Sequence, residues 1–310
     1  DYRFAADAAA VNARSSNTTS SFTLTVSDGV TTDSRTLSIS VIGVNDSPVL
    51  ASVASINLAD TSADDTFTNV TGTLAGSDVD TGATLAYTIV GGASPVAPST
   101  SFTVGADSFD LRRTGAYGTL YLASASGAYA FVPDDAAIEG LRTNDSESFT
   151  FQVSDGTASA LQTLTVNITA VNDSTVLSAS LTSASYTDTA GDDTFGTAAG
   201  VLSSTDRDFG QSFTYSITGQ AVDASRSGFT HKTSGTYGAL YINSVSGAYE
   251  FVPDDAAVEA LSASTTESFT LSVSDGVASI TATLNVSLTG ANDTPIISLG
   301  VTDTASGAVT

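Results

Sequence analysis

The chain has 310 residues, of which nine are basic and 33 are acidic, and its formal net charge is −24. It contains no cysteine, methionine or tryptophan, so it lacks disulfides and zinc–thiolate sites, and it lacks the clustered cations of a nucleic-acid binder. With 41% hydrophobic and only 14% charged residues, it is expected to fold rather than to form an acidic disordered tail. No apolar run is long enough to predict a membrane helix.

The sequence is a tandem array with one register. The tetrapeptide Val-Ser-Asp-Gly recurs with its aspartate at Asp28, Asp155 and Asp275, at spacings of 127 and 120 residues. The dipeptide Asn-Asp recurs at the same two intervals. Because two markers agree, we predict whole repeats at the centre of the chain and partial repeats on either side. The predicted segments are 1–44 (the C-terminal part of a repeat), 45–171 and 172–291 (complete repeats) and 292–310 (the start of a further repeat).

The partial repeats allow two interpretations. The sequence is either a window on a longer polypeptide, or partner chains supply the strands that the partial repeats lack. The two partial repeats together lack half of a domain, so they do not complete one simply by meeting head to tail.

Local patterns in chain order predict strands. Apolar and polar residues alternate along 22–26, 149–153 and 284–288, which is typical of half-buried strands. Runs rich in Gly, Asp, Ser and Asn separate the strands, and the Ala-rich stretches at 135–141 and 255–261 allow at most one helical turn. An eight-residue difference between the two repeats, located between Tyr87 and Tyr117 in the first, predicts a longer loop. The fold class is therefore all-β, with tandem antiparallel β-sandwiches.

Aromatic residues recur inside the repeat. The segment Phe-Val-Pro-Asp-Asp-Ala-Ala begins at both Phe131 and Phe251, and a tyrosine precedes each at Tyr129 and Tyr249. We predict that these rings fill the cores of the sandwiches rather than bind a ligand.

Three acidic clusters recur at fixed places. They are an Asp-x-Asp-x-Gly loop (Asp78 and Asp80; Asp206 and Asp208), the aspartate of Val-Ser-Asp-Gly, and the Asn-Asp dipeptide. All three fall between strands and are expected to meet at one end of a sandwich. Carboxylate and carbonyl oxygens, with no nitrogen or sulfur donors, favour Ca²⁺. The alternative interpretation is that these residues are ordinary solvated turns.

The pattern is not an EF-hand, because the twelfth position counted from Asp78 is Ile89 and not glutamate. It resembles instead a cadherin-like domain, with its A-x-D-x-D-x-G loop, its D-x-G turn and its N-D-x-P linker at Asn45–Pro48. The segments Y-G-x-L-Y, Y-x-F-V-P-D-D, V-S-D-G and the closing N-D resemble, more narrowly, the VCBS-type repeats of large secreted bacterial adhesins of the RTX type.

In cadherin-like proteins calcium binds where successive repeats join, and the resemblance implies two sets of ligands here. The first set is Asn45, Asp46, Asp78, Asp80 and Asp155. The second set is Asn172, Asp173, Asp206, Asp208 and Asp275. Whether Asp7, Asp60, Asp134, Asp135, Glu139 and Asp188 complete these shells stays open. Thr175 replaces the linker proline, which predicts a less rigid second junction.

The leading hypothesis is that the chain is a structural and adhesive segment of an extracellular bacterial surface protein, in which Ca²⁺ stiffens an extended array of spacer repeats. Its partners would be neighbouring repeats or identical chains and a cell-surface or matrix target, without nucleic acid and without membrane insertion. Alternatives are a subunit of a filament or sheath, assembled by strand addition between chains, and a Ca²⁺-dependent carbohydrate-binding module. Catalysis is not expected, because the same acids recur in every repeat.

Overall fold

The computed structural model of the chain describes residues 1–94 and 101–295. The chain divides into two compact units, Asp1–Asn172 and Asp173–Thr310. Of the segment expected to begin a further repeat over 292–310, residues 296–310 lie outside the described part. Nearly all regular structure in the described part is β, which confirms the predicted fold class.

The first unit begins with a short helix and a hairpin. These are α1 (Ala8–Asn12), β1 (Thr18–Ser27) and β2 (Thr32–Val41). Asp7 caps α1, because its side chain accepts hydrogen bonds from backbone N–H groups of the first turn. The two strands pair antiparallel, with Phe22 opposite Leu37, and form a two-stranded sheet of their own. The turn between them uses Gly29 at a φ of 98°, a conformation that favours glycine.

The rest of the first unit is a β-sandwich. Its elements are β3 (Val49–Leu50), β4 (Ile56–Ala59), β5 (Val70–Thr73), β6 (Gly76–Ser77), β7 (Ala86–Ile89), β8 (Phe102–Val104), β9 (Asp107–Phe109), β10 (Leu111–Thr114), β11 (Gly118–Leu122), β12 (Ala128–Pro133), α2 (Asp135–Glu139), β13 (Asp145–Ser154) and β14 (Ser159–Thr169). One sheet has the order β4-β14-β13-β7 and the other has the order β10-β11-β12-β5. Two short pairs, β3-β6 and β8-β9, lie outside these sheets.

The second unit repeats this sandwich. Its elements are β15 (Val176–Ala179), β16 (Ser183–Thr187), β17 (Ala198–Thr205), β18 (Thr214–Ile217), β19 (Ala221–Val222), β20 (His231–Ser234), β21 (Gly238–Ile242), β22 (Ala248–Pro253), α3 (Asp255–Glu259), β23 (Thr265–Ser274) and β24 (Ser279–Thr289). One sheet has the order β16-β24-β23-β18, and the other has the order β15-β17-β22-β21-β20-β19.

The core of each sandwich follows the predicted alternation. In β13 the apolar residues Phe149, Phe151 and Val153 are buried, while the residues between them are less covered. The aromatic pairs meet across the sheets, with ring centroids 5.9 Å apart for Phe131 and Phe149. Phe251 is fully buried in the second unit, so the prediction that these recurring rings form the core is confirmed.

One pairing in each sandwich differs from the predicted antiparallel arrangement. β4 runs parallel to β14, and β16 runs parallel to β24. The second strand of each sandwich thus lies beside its last strand and points toward the same end of the unit. This pairing places Asp60, which follows β4, and Asp188, which follows β16, next to the segment where the last strand ends.

The helices are short, as predicted. Each of the three helices in the described ranges has five residues, and no helix there is long and apolar enough to cross a membrane. α2 and α3 begin after the capping residues Asp134 and Asp254. The prediction of a simple loop insertion in the first repeat was wrong in part, since the described part of that region contains the β8-β9 hairpin. Residues 95–100 of the same region lie outside the described part.

Candidate metal centres

The end of each sandwich at which the repeat begins is called here its entry pole. At the entry pole of the first unit, the backbone N–H of Asp46 donates to Asp80 Oδ2 at 2.8 Å. The backbone N–H of Asp80 in turn donates to Asp78 Oδ1 at 2.8 Å. Asn45 Nδ2 donates to Asp155 Oδ2, also at 2.8 Å. Hydrogen bonds therefore bring all five residues of the first predicted set to one pole.

Two carboxylate oxygens at this pole are buried and accept no hydrogen bond, an arrangement that favours a bound cation. Asp80 is only 6% exposed, and its Oδ1 is buried without a hydrogen-bond donor. Asp78 Oδ2 is likewise buried without a hydrogen-bond donor. A buried polar atom without a partner costs about 1–3 kcal/mol, and more when it is charged. A bound cation would remove that cost.

Asp155 is held in its ionised form by the loop that carries it. Its Oδ1 accepts the backbone N–H groups of Thr157 and Ala158, each at 2.6 Å. The hydrogen bond from Ala158, followed by that from the Asn45 side chain, lowers the pKa of Asp155 below its usual value. The Val-Ser-Asp-Gly turn therefore presents a preorganised carboxylate at the entry pole.

The entry pole of the second unit brings three carboxylates closer together. Carboxylate oxygens of Asp173, Asp206 and Asp208 all lie within 4.8 Å of one another. Asp173 and Asp208 are almost completely buried. Two unit charges 4 Å apart repel by about 1 kcal/mol even in the dielectric of water, and by more near a protein surface. In the described part of the first unit, the three counterparts do not reach this spacing.

Thr175, which replaces the linker proline, is part of this pole. Its Oγ1 donates to Asp206 Oδ2 at 2.8 Å and is 3.4 Å from Asp275 Oδ2. Asp275 also accepts two backbone N–H groups of its own turn, as Asp155 does. The hydroxyl group thus links the Asp-x-Asp-x-Gly loop to the Val-Ser-Asp-Gly loop.

Asn172, the remaining residue of the second predicted set, belongs to the first unit. Its Oδ1 accepts a hydrogen bond from Arg142 Nη2 at 3.4 Å. Its expected role as a ligand stays a prediction.

The opposite end of the second sandwich, its exit pole, forms another acidic group. Carboxylate oxygens of Asp188, Glu259 and Asp293 lie within 4.8 Å of one another. Asp188 is 2% exposed; its Oδ2 accepts the N–H of Ala291 at 2.9 Å, and its Oδ1 is buried without a donor. Burial, together with the nearby charges of Asp188, Asp193 and Asp293, raises the pKa of Glu259.

The counterparts of Asp188 and Glu259 in the first unit are Asp60 and Glu139, and both are buried. Asp60 Oδ2 accepts the N–H of Val171 at 3.0 Å, and Asp60 Oδ1 is buried without a donor. The same backbone geometry, set by β4 in the first unit and by β16 in the second, therefore recurs at the exit ends of both sandwiches.

The sequence interpretation did not identify Glu259, and it named Glu139 only within a group. The available signal was the recurrence of glutamate at one distance after both Phe-Val-Pro-Asp-Asp segments. Two other acids of that group have structural partners: Asp134 caps α2, and Asp135 Oδ1 accepts the N–H of Phe67 at 3.1 Å. Asp7 likewise caps α1.

Comparison with protein-family models finds no match, and comparison with curated proteins finds no relative. Among solved structures, the chain is similar to extracellular cadherin domains 1–5 of protocadherin gamma B2, at 15% identity and a TM-score of 0.35, covering 87% of this chain and 45% of that chain. It is also similar to EC1-3 of mouse clustered PcdhgC3, at 14% identity and a TM-score of 0.33, covering 92% of this chain and 80% of that chain.

Drosophila N-cadherin EC1-4 is similar at 12% identity and a TM-score of 0.25, covering 88% of this chain and 58% of that chain. The chain therefore spans about half of the length of two of these three structures. At such identities and TM-scores the likeness says nothing about what this chain binds.

Proposed function

We propose that this chain is a non-enzymatic segment of a large extracellular surface protein of bacteria, in which calcium-binding sandwiches serve as adhesive spacers. The observation that carries the proposal is the recurrence of buried carboxylates at the sandwich ends, with oxygens that no donor satisfies. Asp80 Oδ1 at an entry pole and Asp188 Oδ1 at an exit pole are the best examples. Solvated turns would leave such oxygens in water.

Calcium suits these poles better than other metal ions. The donors are carboxylate oxygens with hydroxyl and carbonyl groups nearby, and the chain has no cysteine and a single histidine. Hard oxygen donors select Ca²⁺ or Mg²⁺, and loop-borne carboxylates adapt to the larger and more flexible Ca²⁺ shell. The entry-pole residues predicted from sequence would hold ions at the entry poles, and Asp60, Glu139, Asp188 and Glu259 would hold ions at the exit ends of their own units.

The expected calcium affinity also supports the proposed extracellular location and the proposed role as a spacer. Extracellular modules bind Ca²⁺ at about 10⁻⁴–10⁻³ M, so such sites fill outside a cell and empty inside it. An ion that neutralises several carboxylates would stabilise the sandwich ends and limit bending along the array. The resemblance of the Val-Ser-Asp-Gly and Phe-Val-Pro-Asp-Asp segments to VCBS-type repeats supports a bacterial adhesin.

The test combines calorimetry with small-angle X-ray scattering on the full chain. We expect titration with millimolar CaCl₂ to give a saturable binding isotherm. We also expect the distribution of interatomic distances from scattering to be narrower in CaCl₂ than in EGTA. MgCl₂ at the same concentration serves as the control and should have a weaker effect. Absence of a binding isotherm, with scattering curves identical in calcium and in EGTA, would overturn the proposal.

A further inference from the structure

Every Asp-Gly dipeptide of the sequence lies in a Val-Ser-Asp-Gly turn. The three dipeptides begin at Asp28, Asp155 and Asp275. In this dipeptide the amide nitrogen of the glycine attacks the carboxyl group of the aspartate more readily than in other sequences, because glycine has no side chain that hinders the approach. The turn therefore carries the same chemically reactive bond at the same place of each repeat.

The backbone of the turn requires this glycine. Gly156 has a φ of 95° and Gly276 has a φ of 94°, a region in which a residue with a side chain is strained. A Cβ atom added at either position would meet no atom within 4 Å, so conformation and not crowding selects glycine. The reactive dipeptide is therefore a consequence of the turn geometry.

The preceding serine holds the amide group that would react. The backbone N–H of Gly156 donates to Ser154 Oγ at 3.0 Å, and that of Gly276 donates to Ser274 Oγ at 3.1 Å. Each serine hydroxyl in turn donates to a backbone carbonyl oxygen across the turn, at 2.8 Å in both units. The glycine nitrogen must leave this arrangement before it can attack the aspartate.

The carboxylate that would be attacked is also held. Asp155 Oδ1 accepts the backbone N–H groups of Thr157 and Ala158, each at 2.6 Å, and its Oδ2 accepts Asn45 Nδ2 at 2.8 Å. Asp275 Oδ1 makes the same pair of backbone hydrogen bonds, each at 2.7 Å. Because these bonds must break before the reaction, the rate depends on how often the turn opens locally.

We propose that Asp155 and Asp275 are sites of spontaneous isomerisation to isoaspartate, and that Ser154 and Ser274 restrain the reaction by holding the glycine amides. In the first step the glycine nitrogen forms a bond to Cγ of the aspartate, and the bond from Cγ to one carboxyl oxygen breaks. That oxygen leaves as water, with the amide proton and the carboxyl proton. Water then opens the succinimide ring at its main-chain carbonyl carbon, which gives isoaspartate, or at Cγ, which restores aspartate.

The product cannot keep the geometry of the entry pole. Isoaspartate places Cβ and Cγ in the main chain, so its free carboxylate is attached directly to Cα and no longer reaches the two backbone N–H groups of its turn. Each event therefore removes one oriented carboxylate from an entry pole. A resulting loss of calcium affinity rests on the proposed function, whereas the isomerisation itself does not.

Isoaspartate mapping of the aged full chain tests the proposal. Samples are kept in EGTA at neutral pH, digested, and analysed by mass spectrometry with electron-transfer fragmentation, which distinguishes isoaspartate from aspartate. Ser154→Ala should raise the rate at Asp155 about fivefold, equivalent to about 1 kcal/mol at about 1.4 kcal/mol per factor of ten, because one hydrogen bond to the glycine amide is lost. The rate at Asp275 in the same molecule should stay unchanged, and Ser274→Ala should give the reverse pattern.

Two further substitutions in β13 separate this restraint from a general loss of stability. Ser154→Thr keeps a hydroxyl group and should keep the rate at Asp155 near that of the unsubstituted chain. Ser148→Ala removes an exposed serine of the same strand and should have no effect. In guanidinium chloride the unfolded chain should isomerise faster than the folded chain at both aspartates. Equal rates in the folded and unfolded chain, or an unchanged rate at Asp155 in Ser154→Ala, would overturn the proposal.

Discussion

Asp208 shows how a single residue couples the fold to the acidic cluster. Its Oδ2 accepts the backbone N–H of Asp173 and the side-chain amide of Gln211, both at 2.8 Å. These bonds hold the carboxylate within 4.8 Å of the carboxylate oxygens of Asp173 and Asp206. The three carboxylates are thus held together in the absence of a metal ion, although their negative charges repel one another.

Asp208→Asn should therefore have opposite effects with and without metal. We expect the calcium dissociation constant to rise about tenfold or more, a loss of at least about 1.4 kcal/mol. In EGTA the free energy of unfolding should rise by about 1 kcal/mol, because one repulsive charge is removed. Calorimetry and urea unfolding measure the two effects. Asp192→Asn, at an exposed position, is the control. Equal changes in calcium affinity and in unfolding free energy for the two variants would contradict the role of Asp208 as a calcium ligand.

Tyr117 and Asp145 form a second informative pair, which the second unit lacks. The Tyr117 hydroxyl donates to Asp145 Oδ2, and this bond is the main reason that the pKa of Tyr117 is raised to about 12. The same bond lowers the pKa of Asp145. In the second unit Thr265 occupies the position of Asp145, and Tyr237 that of Tyr117.

Asp145→Thr copies the second repeat and should lower the pKa of Tyr117 toward 10. Because the folded-state pKa of Tyr117 is raised, this pair stabilises the fold below the ordinary tyrosine pKa, and the contribution disappears as pH rises from about 10 through about 12. An ultraviolet titration of tyrosinate formation measures the shift. An unchanged titration curve in the variant would show that the hydrogen bond does not control this tyrosine.

At the scale of residues, the sequence predicted the loop acids, named Glu139 only among possible additional ligands, and did not identify Glu259. Asp78, Asp80 and Asp155 stand in turn motifs whose loop position can be inferred from their neighbours. Glu139 and Glu259 end short helices, and the parallel packing of β16 beside β24 places Asp188 near Glu259. Such a proximity depends on tertiary contacts, which no local pattern encodes.

At the scale of elements, β1 and β13 share the pattern Ser-Phe-Thr-x-x-Val-Ser but differ in their surroundings. Phe151→Ala should cost about 3–5 kcal/mol of unfolding free energy, because it leaves a cavity in a closed core. Leu24→Ala, at the equivalent position of β1, should cost less than about 1 kcal/mol, because that side chain is already partly in water. Urea unfolding of the two variants measures both losses of unfolding free energy. Similar losses would mean that the hairpin is covered in solution.

In the two sandwiches, strands with one buried face were easier to predict than short strands without one. β13 and β24 were predicted because one face of each strand is buried, which forces a period of two. β8 and β9 are three residues long each and have no such constraint, so a loop was expected there. The parallel direction of β4 and β16 was missed because alternation reports burial and not strand direction.

At the scale of the whole molecule, the net charge of −24 has the largest consequence for stability. Thirty-three acidic residues repel one another, and salt screens that repulsion only beyond about 8 Å at physiological ionic strength. The poles contain pairs much closer than this. Ionic strength alone should therefore relieve only part of their repulsion.

Calcium should consequently stabilise the chain more than an equal ionic strength of sodium. We expect the melting temperature to rise by several degrees in millimolar CaCl₂, and by clearly less in NaCl of matched ionic strength, because only a directly bound ion neutralises neighbouring carboxylates. Differential scanning calorimetry with both salts measures the difference. Identical melting curves would indicate screening without binding.

The parallel pairing of β4 with β14, and of β16 with β24, also determines how each sandwich would respond to tension. β4 pairs with β14 from Ile56 opposite Val166 to Ala59 opposite Thr169, and β16 pairs with β24 over five residues in the same manner. When the two ends of such a unit are pulled apart, the neighbouring strands are drawn in opposite directions along their length. Their hydrogen bonds then bear the force together in shear instead of opening one after another like a zipper. Each sandwich is therefore built to resist stretching along the direction of its strands.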